Sequence, residues 1–333
     1  MAAALQRAWL HRGAVAVLLL PLALLYRLLA SFHRSLFQWG VRTAWRAPVP
    51  VVIVGNVVAG GAGKTPVVIA IARHLRKRGI SSGVVSRGHG RDGDAVLEVT
   101  PDTDPRRSGD EPLLIARSAA VPVTVAARRQ EAVQLLLRRH PDVRVVLGDD
   151  GLQHHALARD LEIVVFDDRG IGNGWPLPAG PLREPWPRPA DLVLRTEGAR
   201  GIEGFTVRRQ LAGTALGSDG RTIDLQSLRT RRCIAVAGIA QPQVFFDMLR
   251  ARGVGLAATV ALPDHDRFDS LPAGLDDRDA IVLCTEKDAA KLWKLRPDAL
   301  AVPLEVDIDP AFWRALDAWL DARLSSTHGS QAA

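Results

Sequence analysis

Val51-Val-Ile-Val-Gly55 runs directly into Asn56-Val-Val-Ala-Gly-Gly-Ala-Gly-Lys-Thr65, and Pro66 follows. The apolar run predicts a buried strand, the glycines a loop, and Pro66–Arg78 an amphipathic helix with Val68, Ile69, Ile71, Ala72 and Leu75 on one side. That order is the layout of a phosphate-binding loop. Backbone N–H groups wrap phosphate oxygens, the lysine reaches the β/γ-phosphates, and the threonine hydroxyl is suited to Mg²⁺. The helix dipole favours the anion, and Pro66 fits a first turn whose N–H groups have no intrahelical partner. One departure from the usual G-x-x-x-x-G-K-[ST] spacing stands out: Val58 occupies the first glycine position, so Gly60 and Gly61 are expected to supply the flexibility. A Gly-rich turn with a chance Gly-Lys-Thr is the plain alternative, and the strand before and helix after argue against it.

Outward from this loop, short apolar runs alternate with amphipathic helices. Strands are predicted over 51–54, 82–86, 121–125, 143–147 and 161–166, and helices over 66–78, 111–119 and 130–140. Such alternation implies a parallel sheet covered on both faces, with ligands at the carboxyl ends of its strands. Residues 170–189 are rich in Gly, Pro and Trp and read as a loop. Residues 206–211 and 221–225 surround Gly217-Ser-Asp-Gly220 and read as a hairpin. Strands at 233–237, 281–284 and 301–306, with helices at 243–251, 289–295 and 310–324, predict a second, smaller α/β unit. The expected division is an N-terminal segment 1–46, a core domain 47–200, a hairpin linker 201–228, a smaller domain 229–324 and a disordered tail 325–333.

With 333 residues, 47% apolar and 24% charged, the chain is long enough for two cores. Cys233 and Cys284 lie in apolar stretches and read as buried thiols, with no disulfide framework or zinc site. The net charge of +7 suggests a nucleic-acid partner until it is located. Arg7, Arg12, Arg27, Arg34, Arg42 and Arg46 fall in the first 50 residues, which carry no acid; the rest of the chain is close to neutral. No nucleic-acid partner is therefore expected. The same segment contains the uncharged run Ala14–Tyr26, interrupted by Pro21 and flanked by Trp9, Trp39 and Trp45. It is short of the ~20 apolar residues a spanning helix needs. A cleaved signal peptide and a buried core helix are alternatives. The favoured reading is a helix lying in the cytoplasmic face of a membrane, its arginines against anionic headgroups.

Polar clusters follow the predicted strands. Val143-Arg-Val-Val-Leu-Gly-Asp149-Asp150 ends in two carboxylates, as a strand delivering an aspartate to Mg²⁺ does. Gly151-Leu-Gln-His154-His155 follows. Its histidines suit hydrogen bonding to substrate better than transition-metal ligation, because no third soft ligand is near. Ser86-Arg-Gly-His-Gly90, Gly109-Asp-Glu-Pro112, Pro181-Leu-Arg-Glu184, Pro263-Asp-His-Asp266 and Thr285-Glu-Lys-Asp288 occupy other loops. The last resembles a guanine-reading Asn-Lys-x-Asp element with its lysine one place out, and is read as chance.

Taken together and in order, these motifs resemble the tetraacyldisaccharide 4′-kinase family of lipid A synthesis, over about residues 5–322. The resemblance implies an α/β fold: a P-loop NTPase-like parallel-sheet domain, a second, smaller α/β domain and an N-terminal membrane-associated helix. It implies phosphoryl transfer from ATP, with Mg²⁺, to the 4′-hydroxyl of an acylated glucosamine disaccharide 1-phosphate at the cytoplasmic leaflet of the inner membrane. Carried over by motif, Val58, Ala59, Gly60, Gly61, Ala62, Gly63, Lys64 and Thr65 hold the ATP phosphates. Asp110 is the catalytic aspartate and His265 its partner. Asp149 and Asp150, with Thr65, work around the metal. Arg87, Arg128, His154, Arg183 and Glu184 are implicated near the sugar phosphate. One departure is His89, where the family often carries tyrosine. Chemically, a secondary hydroxyl is a poor nucleophile, so a positioned aspartate would accept its proton and a histidine would orient that carboxylate. Two rival readings are a soluble small-molecule P-loop kinase and a membrane-associated nucleotide switch without an acceptor.

Overall fold

The structure, a computed structural model, describes residues 9–329, with side chains as far as Ser325. Residues 1–8, which include Arg7, and residues 330–333 of the expected tail lie outside the described residues. Two helices, α1 (Ala14–Leu18) and α2 (Leu20–Gln38), precede β1 (Val51–Gly55). Next come α3 (Lys64–Lys77), β2 (Ser82–Ser86), β3 (Leu97–Val99), α4 (Pro105–Ser108), α5 (Asp110–Ala119), β4 (Val123–Val125), α6 (Arg129–Arg139), β5 (Val145–Asp149), β6 (Leu161–Phe166), β7 (Leu192–Arg195) and β8 (Phe205–Leu211). The remainder is β9 (Thr214–Leu216), β10 (Thr222–Asp224), β11 (Cys233–Ala237), α7 (Pro242–Ala251), β12 (Leu256–Ala261), β13 (Ile281–Thr285), α8 (Glu286–Leu292), β14 (Leu300–Val302), β15 (Leu304–Ile308) and α9 (Pro310–Gly329).

A nine-stranded sheet has the order β15-β8-β7-β6-β1-β5-β2-β4-β3, parallel throughout except for the antiparallel edges β15 and β3. A six-stranded sheet, β10-β9-β14-β13-β11-β12, is parallel from β14 to β12. The molecule is thus mixed α/β with large parallel sheets, as the alternating pattern implied. In β1 the residues alternate between two cores. Val52 and Val54 pack with Ile71 and Leu75 of α3 and Phe312 and Leu316 of α9. Val51 and Ile53 pack with Val133 and Leu136 of α6 and with Leu152 and Phe166. Both sheet faces are covered, which is why β1 reads as a continuous apolar run. Each such side chain contributes roughly 1.5–3 kcal/mol by leaving water. Cys233 and Cys284 are buried free thiols in the cores of the second sheet.

The sheets divide the chain differently from the expected boundaries. The predicted strand 301–306 is two strands broken at Pro303, one in each sheet. Proline has no N–H to continue a ladder, so the break lets the chain cross between sheets there. The chain then returns to the first sheet through β15, and α9 packs on the first core with Phe312, Leu316, Leu320 and Leu324. The expected hairpin is also corrected: β10 pairs with β9, while 205–211 joins the first sheet beside β7 and β15. Helix α9 extends to Gly329, so residues 325–329 are helical rather than part of a disordered tail. Strands β3, β7, β9 and β12 were not anticipated; β3, β7 and β9 are short, and β12 lies largely exposed at a sheet edge without the alternation that marks a half-buried strand.

The N-terminal helices are not a core element. Only Ala16 and Ala23 of α1 and α2 are buried. Leu18 is 80% exposed and Leu28 66%, and Leu22, Leu25, Leu29 and Phe32 are also exposed. Among the described residues no helix is long and apolar enough to cross a membrane.

Candidate functional site

The carboxyl end of β1 and the carboxyl ends of β11, β13 and β14 of the second sheet enclose a cleft of about 840 Å³. The glycine loop forms its floor. Gly60 and Gly63 adopt left-handed φ angles of 97° and 81°, which only glycine takes without strain. Helix α3 begins at Lys64, two residues before Pro66, so Lys64 and Thr65 are both in its first turn. Proline at the third position is tolerated because that N–H has no intrahelical partner. Val58 needs no glycine-like conformation. It is buried and bridges Leu182 in antiparallel fashion, while the Ala59 N–H donates to the Pro181 carbonyl at 2.7 Å. The 57–59 segment is therefore held extended by the 181–183 segment, and turning is left to Gly60 and Gly63. The Asn56 side chain donates to the Val58 carbonyl at 2.5 Å and the Gly60 carbonyl at 3.2 Å, and its oxygen accepts from Lys64 Nζ at 3.2 Å. The Arg169 guanidinium braces the loop from outside through the Ala59 and Gly61 carbonyls, at 3.2 and 3.4 Å.

Asp149 ends β5, next to β1. Its carboxylate is buried and neither oxygen has a hydrogen-bond partner among the described residues. Burial, with the charge of Glu111, pushes its carboxyl up to about 7 against the pull of Lys64. Asp150 sits in a left-handed turn at φ 49°. It accepts from Arg183 Nη1 at 3.0 and 3.1 Å and lies 3.6 Å from Lys64 Nζ. Burial works upward on its carboxyl, but Lys64 and Arg183 hold it below the ordinary value. Two bare buried oxygens in a cleft that Thr65 also lines suit a hard divalent cation, which bound with nucleotide takes one or two carboxylates plus phosphates. Among the described residues, no group of three or more His, Cys, Asp or Glu side chains is arranged to hold a metal.

Asp110 opens α5 behind a glycine at φ 84°, and His265 lies in the loop after β12 at a left-handed φ of 61°. Separated by 155 residues in sequence, they meet with His265 Nδ1 at 3.1 Å from Asp110 Oδ2. Lys291 Nζ donates to the same oxygen at 2.9 Å. Asp110 Oδ1 is left without a partner among the described residues. Burial raises the Asp110 carboxyl, yet His265 and Lys291 together hold it below its usual value. His265, Glu111 and Lys287 line the cleft, with Asp110 directly behind His265. Lys287 Nζ is 3.0 Å from Asp264 Oδ1 and 3.3 Å from His265 Nε2. Thr285-Glu-Lys-Asp288 is a helix-capping turn: the Thr285 hydroxyl accepts from the Asp288 N–H at 3.2 Å. The Asp288 carboxylate also ties down the Gly238 N–H at 2.9 Å, fixing the end of β11 against α8.

The expected substrate-side residues divide. Arg87, His154 and Arg183 line the cleft. Arg87 has no ion-pair or hydrogen-bond partner among the described residues. Burial and the nearby Arg129, Arg159 and Arg87 charges lower the His154 ring to about 4, so it is neutral at pH 7. His155 turns away and meets His33 and Phe37 of α2, with ring centroids 5.9 and 6.0 Å away. Glu184 is a step removed, accepting at 2.7 Å from Gln153, which does line the cleft. Arg128 stands outside the cleft lining: its side chain is 81% exposed and pairs with Glu131 at 3.6 Å. The neighbouring Arg129 points inward, buried, and donates to the Asp149 and Asp150 carbonyls at 3.1 and 3.3 Å. Helix geometry separates them, since adjacent residues do not share a face. Lys291, Arg129 and Arg209, the last of which also lines the cleft, escaped the sequence reading, and Lys287 was read only as part of the Thr285–Asp288 motif, with no role at the site. The i, i+4 lysine spacing after a Thr cap was the available signal for the two lysines.

Fold and site define the class: an α/β protein of large parallel sheets with a glycine loop at its strand ends, opposite a carboxylate–histidine pair. A family model described as Tetraacyldisaccharide-1-P 4'-kinase matches residues 15–323. The chain belongs to that family. A tetraacyldisaccharide 4'-kinase of Acidovorax ebreus is 51% identical over 330 residues, covering 98% of this chain and 97% of the relative. One from Delftia acidovorans is 52% identical over 321 residues, covering 96% and 95%. A crystal structure of LpxK from Aquifex aeolicus in complex with ATP superposes with a TM-score of 0.79 at 29% identity, covering 93% of this chain and 99% of that one.

Proposed function

We propose that this protein transfers the γ-phosphoryl group of ATP to the 4′-hydroxyl of a tetraacylated glucosamine disaccharide 1-phosphate, in lipid A synthesis. The observation that carries this reading is the meeting of two machineries in one cleft: Lys64 beneath the glycine loop and His265, backed by Asp110, in the wall. The loop N–H groups from Gly60 to Thr65 and Lys64 hold the phosphates, and Arg87, His154 and Arg183 meet the acceptor's own phosphate and sugar. Thr65, Asp149 and Asp150 would hold Mg²⁺, which supplies neutralisation of charge on the phosphates when bound. As the acceptor oxygen bonds to phosphorus and the bond to ADP breaks, the hydroxyl proton passes to Asp110 Oδ1. His265 holds Oδ2. Most of the rate comes from positioning and charge stabilisation.

A second assignment within the same chemistry is favoured by one observation: His265 lines the cleft while Asp110 stands behind it. There the imidazole takes the proton and the carboxylate stabilises the imidazolium. His265→Gln separates the two. It costs less turnover than Asp110→Asn under the first assignment and at least as much under the second.

Residues 1–46 are inferred to lie on the cytoplasmic leaflet of the inner membrane, without spanning it. Exposed leucines of α1 and α2 and the segment's arginines support this, each arginine contributing about 1 kcal/mol near anionic headgroups. The deciding experiment measures ATP consumption with and without the acylated disaccharide phosphate. Consumption that requires the disaccharide is expected. Turnover on a water-soluble acceptor alone, or slow hydrolysis indifferent to lipid, would refute the reading. Deleting residues 1–30 is expected to release the protein from anionic vesicles; full co-sedimentation of the deletion variant would overturn the membrane assignment.

A further inference from the structure

Helix α8 presents two lysines four residues apart, on one face, to the two ends of the Asp110–His265 pair. Lys287 reaches Asp264 and the outer nitrogen of His265. Lys291 goes further inward. Its side chain is only 8% exposed, and its Nζ donates to Asp110 Oδ2 at 2.9 Å and to the Asp266 carbonyl at 2.6 Å. It also lies 5.5 Å from the centroid of the Phe268 ring. One ammonium thus bonds α5 of the first sheet's layer and the 263–266 loop beside the second sheet. Both loop residues with unfavourable backbone angles, His265 at φ 61° and Phe268 at φ 51°, flank that grip.

We propose that Lys291 is a positioning residue for phosphoryl transfer: it fixes the Asp110 carboxylate so that Oδ2 takes His265 while Oδ1 stays free for the reaction. The inference rests on the kinase reading above and adds a residue to it. A buried lysine is costly unless paired, and here its pair is the reactive carboxylate itself. A carboxylate with one cationic partner can rotate and offer either oxygen. Two donors converging on Oδ2 from different elements remove that freedom. The ammonium also keeps the carboxylate ionised, since an adjacent positive charge favours the charged form.

The groups facing Asp110 come from four places. Asp264, His265 and Asp266 lie in the 263–266 loop, Lys287 and Lys291 on α8, and Glu111 on its own helix. The fourth is the loop after β2, whose His89 meets His265 edge-on with ring centroids 5.4 Å apart. Of these, Lys291 and His265 alone contact the carboxylate. Loss of Lys291 therefore leaves a buried acid with one partner fewer, and its titration moves upward.

The test uses the full chain with Lys291→Met, Lys291→Gln and Lys291→Arg, thermal unfolding being recorded for each. Turnover is read across pH, alongside the ¹³C carboxyl titration of Asp110, assigned by its loss in Asp110→Asn. The expected result for Lys291→Met is a fall in kcat of about tenfold or more, with KM for ATP little changed. The acid limb of kcat and the Asp110 titration should both move up by about one unit. Lys291→Gln keeps a donor without the charge, so it shows the titration shift with a smaller loss of kcat, and it decides the matter if the methionine variant does not fold. Lys291→Arg restores most activity. A folded Met or Gln variant whose Asp110 titration is unmoved overturns the proposal, as does a loss of activity accompanied by an equal rise in KM for ATP. Wild-type protein without disaccharide-dependent ATP consumption would sink the kinase reading instead, and the titration would still decide what Lys291 does to Asp110.

Discussion

Asp149 and Asp110 serve the same cleft, yet one carboxylate is bare and the other is engaged. Asp149 is fully buried with no partner on either oxygen among the described residues, and burial raises it to about 7. Asp110 is also largely buried, but two donors converge on one oxygen and hold it down. The contrast separates two uses of an acid. A carboxylate left unpaired in a dry site is prepared for a charge that arrives with a ligand. A carboxylate already neutralised by protein groups is prepared to work in a fixed orientation. A buried polar group without a partner costs stability, so the bare one persists only where binding compensates.

The comparison breaks most sharply at the lysine beside the Asp149–Asp150 turn, 3.6 Å from Asp150. Lys64→Ala is expected to lower turnover by at least about 100-fold, the loss of a charge contact made in the transition state being worth about 2.7–4 kcal/mol. The fold should survive. Near-normal turnover in a folded Lys64→Ala protein would remove the phosphate-loop assignment.

The engaged centre is tested by its coupling. Asp110→Asn and His265→Ala should each lower kcat by about 10²–10⁴ with little change in ATP affinity. The double variant should be only slightly worse than the worse single one, as for groups that act together. Multiplicative losses would mean that the two residues act independently.

The bare centre carries a pH signature. A carboxyl whose folded pKa lies above its unfolded value contributes stability at low pH, and that contribution is lost as pH rises through about 7. Without nucleotide, Mg²⁺ should therefore raise Tm more at pH 8 than at pH 6. Asp149→Asn should raise Tm at pH 8 by roughly 1–2 °C or more, what about 1 kcal/mol is worth in a chain of 333 residues, while abolishing turnover. A Tm for Asp149→Asn below wild type at pH 8 would contradict an unpaired, charge-strained carboxylate.

The smallest effect belongs to the residue outside the cleft. Arg128→Ala should leave activity within about twofold and stability within about 0.5 kcal/mol, as for exposed side chains. Arg129→Ala should lower activity at least about tenfold, because it strips two carbonyls and a counter-charge from the Asp149–Asp150 turn. Equal losses at both positions would show that the exposed arginine also meets substrate.

What was legible in the sequence is what is local along the chain. The bare centre is read from one strand and its last two residues, and the glycine loop from ten consecutive ones, because strand period, loop glycines and first-turn residues act over a few positions. The alternation of buried runs and amphipathic helices likewise announced a covered parallel sheet. Resemblance to a family, not spacing, paired Asp110 with His265. Even then it left out Lys291, because the i, i+4 lysine spacing after a Thr cap does not say that one lysine is buried on an acid some 180 residues away.

By itself, then, the sequence determined the parallel α/β architecture, the glycine loop on α3, the two acids at the end of β5 and the confinement of net charge to the N-terminal segment. Only the tertiary structure decided that β15 and α9 return to the first sheet, that Arg129 and not Arg128 turns inward, and that Val58 is held extended by the 181–183 segment. It also decided that the leucines of α1 and α2 stay outside the core. The reason is physical in each case. Backbone propensity and hydrophobic period act between neighbours, whereas the partner of a strand, the face of a buried cation and the covering of an apolar helix depend on which distant surfaces the folded chain brings together.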